Sequence, residues 1–121
     1  MKHSRVPIII CILSALLLFA SCGQQYKAEQ AVKAFVKENM EAADEISGRD
    51  FADIGTTRHI NDSLINLMRH RGAPLFKKQI SYGAIPSGDL FYLRMSYIHK
   101  GDTLQNTFYI DGELKEVVAF K

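Results

Sequence analysis

The chain has 121 residues and a formal charge of +2, which caps it at one domain. Its apolar fraction of 47% is too high for a disordered polymer. With residues 1–21 set aside, thirteen basic and thirteen acidic residues remain, and that zero balance argues against a nucleic-acid partner, which requires a basic face.

The first predicted element stands outside the fold. Lys2, His3 and Arg5 precede a largely apolar run, Val6 to Ala20, that is broken by Pro7 and Ser14 and followed by Ser21 and Cys22. A bilayer core of about 30 Å asks for about 20 apolar residues. The run is short for that, and the order of charge, apolar stretch and small residues marks a secretory signal. An uncleaved membrane anchor is the competing reading.

Leu18-Phe19-Ala20-Ser21-Cys22 resembles the lipobox of bacterial lipoproteins. It departs in Phe19, where that family usually has an aliphatic residue. The resemblance implies a diacylglycerol thioether on Cys22, cleavage before it, and acylation of the new amino group. It points to a lipid-anchored protein in the outer membrane of a Gram-negative bacterium. The lack of an acidic run after Cys22 favours the periplasmic side, with the surface as the alternative. Each buried CH₂ of two or three acyl chains adds about 0.8 kcal/mol of membrane affinity, enough to hold a small domain. Cys11 would leave with the signal. The mature domain then has no thiol for a disulfide, a nucleophile or a thiolate metal site. The expected organisation is a signal at 1–21, a lipidated tether at 22–25 and a single domain at 26–121.

Ala28, Ala31, Val32, Phe35, Val36, Met40 and Ala43 recur at helical spacing opposite Lys27, Lys33, Lys37, Glu38 and Glu41. This predicts an amphipathic helix at about 26–46, ended near Ser47-Gly48. Arg49 to Ile60 reads as a loop with a short strand, since Thr56-Thr57 favours extension. Asn61-Asp62-Ser63 offers caps for a second helix at about 62–71, which Gly72 terminates.

The last third reads as sheet. Phe76 to Tyr82 alternates, Pro86-Ser87-Gly88-Asp89 is a turn, and Leu90 to His99 alternates again. Lys100-Gly101-Asp102 is a second turn, followed by a strand to Ile110. Asp111-Gly112 is a hairpin signal, and Leu114 to Phe120 completes a four-stranded antiparallel meander. The fold class is therefore α+β, with the sheet curled around the long helix to bury both apolar sets. This order of elements resembles the cystatin-like superfold, including NTF2-like domains and small bacterial lipoproteins built on it. The competing architecture is a flatter three- or four-stranded sheet with helices on one face.

NTF2-like domains often hold a pocket between helix and sheet, and some use an Asp base with a Tyr hydroxyl. The resemblance makes Asp53, Tyr82, Tyr92 and Tyr97 pocket candidates, although ordinary sheet packing also explains each tyrosine. His59, between Arg58 and Asp62, is the histidine to watch; His70 and His99 read as surface residues. No pair of histidines has metal-ligand spacing, and no cofactor is expected. Arg94, flanked by apolar strand residues, would need an anion if it pointed inward. Ser63 lacks the frame of a serine nucleophile, and the glycines mark turns rather than a phosphate loop. Arg69-His70-Arg71 and Lys77-Lys78 are two small basic patches, either solvated or near anionic headgroups.

Binding is favoured over catalysis. Strand edges near Thr103, Gln105 and Thr107 offer a place for a partner strand from a protein of the envelope. An enzyme or small-ligand binder would need a polar-floored cavity instead. A purely structural role would show as a broad exposed apolar patch.

Overall fold

A computed structural model describes residues 23–58 and 60–121. The expected signal segment, Cys22 and His59 lie outside the described residues.

Residues 23–39 are helical (α1). The predicted stripe is the one that is buried: Ala28, Val32, Phe35, Val36 and Met40 are in the core, with Ala31 packed beside them. The helix stops well before the expected residue 46, because the backbone at 39–41 turns to pair with 75–77. Lys77 N–H donates to Asn39 O at 2.8 Å, Glu41 N–H donates to Leu75 O at 2.8 Å, and Met40 bridges Phe76. The Asn39 side chain closes the last turn by donating to Phe35 O at 3.0 Å. A 3₁₀ turn, Ala43–Glu45, then leads into strand.

Strands β1 (Ile46–Phe51) and β2 (Gly55–Thr57) follow, then helix α2 (Asp62–Arg71), β3 (Leu90–His99), β4 (Asp102–Ile110) and β5 (Val117–Phe120). The α2 limits match the caps read from the sequence. Asn61 Oδ1 accepts from Leu64 N–H at 2.8 Å, and Gly72 N–H donates to Met68 O.

The strands form one curved antiparallel sheet in the order β1-β3-β4-β5, with β2 also on β3. Residues 46–57 thus make a single interrupted edge along β3, where the sequence suggested mostly loop. One extra residue sits between Ser47 and Asp50, at Gly48 with φ +60°, a left-handed geometry that suits glycine in a bulge. The register slips once more between Phe51, opposite Met95, and Gly55, opposite Tyr92. Gln25 of α1 reaches that second break: its Nε2 donates to Ala52 O at 3.0 Å, and its Oε1 accepts from Ile54 N–H at 2.8 Å.

The expected strand at 76–82 is absent. Apart from the Phe76 bridge, residues 77–89 run as a loop. The alternation there has another cause: Phe76, Ile80 and Tyr82 dip into the core while Lys77, Lys78 and Gln79 stay in solvent. The five-stranded sheet therefore replaces the expected four-stranded meander, of which β3-β4-β5 is the part retained. The β3–β4 hairpin turns on Lys100-Gly101, both with positive φ (51° and 84°), the twist-matched geometry of a two-residue loop. The β4–β5 connection is wider than Asp111-Gly112 suggested. It closes from Asp111 N–H to Glu116 O at 3.1 Å, and Leu114 folds under it into the core.

Side-chain parity assigns the helices to opposite faces. The α1 stripe packs on Leu93, Met95, Tyr97, Phe108, Ile110, Val117 and Phe120. The α2 residues Ile65 and Met68 pack on Leu90, Tyr109, Val118 and Ala119. The long helix α1 packs on one face of the curved sheet, and α2 takes the opposite face, so the competing arrangement with helices on one face does not apply. Among the described residues the outer face is covered only near α2; beyond it Tyr92, Arg94 and Ile98 are exposed.

Candidate functional site

The sequence candidates are dispersed. Tyr97 lies on the α1 face and is 2% exposed, with its hydroxyl donating to Asn106 Oδ1 at 2.5 Å. Burial raises its pKa. Tyr92 and Arg94 point the other way, into solvent on the outer face, with the Tyr92 ring over Gly55, where no side chain obstructs it. Asp53 is exposed in the break between β1 and β2. Tyr97 is thus separated from Tyr92 and Arg94 by the sheet itself, and the Asp–Tyr pairing implied by the NTF2-like resemblance is not assembled around it.

Tyr82 is the candidate in a distinctive setting. Its ring packs 5.7 Å from Phe35 and 6.4 Å from Phe120, between centroids. Its hydroxyl is buried with no hydrogen-bond partner among the described residues. Burial raises the phenol pKa, and the nearby Arg69 charge opposes that rise. The ring borders a concavity of about 270 Å³ whose lining includes Glu38, Asn39, Lys115 and Glu116.

Arg69 has a role that sequence reasoning missed. Its guanidinium sits 4.9 Å above the Tyr82 ring centre. Nε donates to Val118 O at 2.8 Å and Nη2 donates to Gly83 O at 2.7 Å. Gly83 N–H in turn donates to Val117 O at 3.1 Å. Loop and arginine together therefore cover the outward edge of β5, which would otherwise present bare backbone groups. The available signal was spacing: Arg69 follows Ile65 by four residues, on the buried stripe of α2, where a cation must find polar partners.

The edge of β4 is different. Thr107 exchanges both backbone hydrogen bonds with Lys121, at 2.9 and 3.0 Å, so odd-numbered β4 residues direct their backbone groups away from β3. Thr107 is occupied by this pairing. Thr103 and Gln105 share its orientation, but no strand lies beside them among the described residues. Their N–H and C=O groups form a short free edge next to the open outer face.

Among the described residues, no three His, Cys, Asp or Glu side chains gather at metal-binding distance. No helix there is long and apolar enough to cross a membrane. No family model, curated protein or solved structure matches the chain.

Proposed function

We propose that the chain is an exported lipoprotein, anchored through acyl chains on Cys22, whose domain binds a protein partner of the cell envelope by accepting an added strand. The anchor reading rests on the order of charge, apolar run and lipobox-like residues ending at Cys22. Because residue 23 is already helical, the acylated residue would join the domain with no slack, and the domain would sit close to the headgroups. We read the fold as a variant of the cystatin-like plan, with α1 packed on one face of an antiparallel sheet and α2 as a departure on the other.

The binding reading is carried by the free edge at Thr103 and Gln105. A strand laid there would gain main-chain hydrogen bonds, while Ile98, opposite Thr103 on the adjoining face, offers apolar contact. Gln105→Pro tests it, since proline removes only the N–H aimed at the open edge and is tolerated at sheet edges. A photo-crosslinker at position 103 should capture a partner segment in the wild type and lose it in Gln105→Pro. Equal capture by both proteins rules out strand addition. For the anchor, Cys22→Ala should release the protein from membranes or leave it unprocessed. Failure of a clickable fatty acid to label the wild type would reject lipidation.

A second reading, small-ligand binding, is favoured by the orphan Tyr82 hydroxyl beside its concavity. Tyr82→Phe should then weaken a ligand recovered with the native protein. An unchanged affinity rejects that reading.

A further inference from the structure

Two basic runs that are separate in sequence meet in space. The chain leaves α2 at Gly72 and returns along the end of α1, held by the backbone bonds of Leu75 and Lys77 to Glu41 and Asn39. The result is a concavity of about 630 Å³ lined by Arg69, His70, Arg71, Lys77 and Lys78 over apolar residues that include Phe76. No carboxylate lines it. Among the described residues the ion pairs are His99–Glu45 and Lys115–Glu113, both elsewhere. Glu38 and Glu41, near the same end of α1, line other hollows.

The C-terminal dipole of α2 accounts for cations at 69–71, but not for Lys77 and Lys78, which stand on a loop. Four full charges thus converge in one concavity with no carboxylate in its lining, in a domain expected to carry a balanced charge. We propose that this cleft binds a phosphate-bearing anion. Arg69 is fixed by Val118 O and Gly83 O and supplies positioned charge. Arg71 is exposed and offers a planar fork of donors, while Lys77 and Lys78 act as point charges at the rim. The cleft abuts the far end of α1, about 25 Å from residue 23 at 1.5 Å per residue.

The test uses the full chain in nonionic detergent, with pyrophosphate titrated calorimetrically at low salt. In parallel, after detergent removal, its sedimentation with phosphatidylcholine vesicles is compared with and without phosphatidylglycerol, and only the difference between the two, in which any anchor insertion cancels, is counted as vesicle response. Lys77→Glu/Lys78→Glu is compared with Lys27→Glu/Lys37→Glu, the same charge change on exposed positions of α1. At least about tenfold weaker binding in the first variant, with little change in the second, is expected from losing two charged contacts. Response to pyrophosphate alone identifies a soluble phosphate compound, and response to anionic vesicles alone identifies a lipid headgroup. Binding of neither probe, or equal loss in both variants, overturns the site.

Discussion

Replacing Arg69 with methionine keeps the length and apolar stem of the side chain and deletes the clamp. Two charge-assisted hydrogen bonds, at 2.8 and 2.7 Å, are lost, each worth about 1.5–3 kcal/mol. The site is only half buried, so water can rehydrate the freed carbonyls and the lower end of that range applies. The stacked contact on Tyr82 adds about 0.5–1 kcal/mol. The total destabilisation should be about 3.5–4 kcal/mol, and for a domain near 100 residues each 1 kcal/mol lowers Tm by about 4–8 °C. Urea unfolding followed by circular dichroism measures the total at unchanged slope. Hydrogen exchange at Gly83, whose N–H reaches Val117 O, reads the local part and should lose protection beyond the global change. Arg69→Lys should recover less than half, because one ammonium cannot reproduce the guanidinium fork. A loss below about 0.5 kcal/mol with Gly83 still protected would refute the clamp.

Phe120 is 1% exposed, with its ring centre 4.4 Å from that of Phe76 and 5.7 Å from that of Phe108. Phe120→Ala should cost about 3–5 kcal/mol in denaturant unfolding, and a cost under 1 kcal/mol would mean the aromatic cluster is not the core. Tyr97→Phe strands the buried Asn106 amide oxygen and should cost about 1–2 kcal/mol at neutral pH. Because burial raises the Tyr97 pKa in the fold, its proton-linked stability is complete below the unfolded value of about 10 and is lost as pH rises through the folded value. Urea midpoints taken across the alkaline range should therefore fall less steeply in Tyr97→Phe than in the wild type, with Tyr82 supplying a remaining slope of the same sign. Asn61→Ala removes the α2 cap and should cost about 1 kcal/mol, whereas Asn61→Asp should retain most of it.

Helices and the β3–β4 hairpin were legible because their periods are clean. The α1 stripe, the α2 caps and the alternation of Leu90 to Ile110 each follow one rule over several turns or residue pairs. The edge at 46–57 was not legible, for a reason visible in its register. Ile46 and Phe51 both join the α1-side core although they stand five positions apart, a spacing that fits neither strand nor helix. Only an inserted residue brings them to the same face. The opposite error arose at 76–82, where alternation came from a loop inserting Phe76, Ile80 and Tyr82 without a ladder. Of the candidate chemistry, Arg94 and the tyrosines could be placed on strands or loops, but not on a face relative to one another. Convergence of 69–71 with 77–78 depended on the chain reversing at Gly72 and docking against 39–41, which no local pattern announces.

Gln25 lends the interrupted edge a donor and an acceptor that a neighbouring backbone would ordinarily supply. The first turn of α1 is thereby pinned to the break between β1 and β2 through one side chain. Loosening that turn would unclasp the edge, whereas the ladders of β3, β4 and β5 do not depend on it.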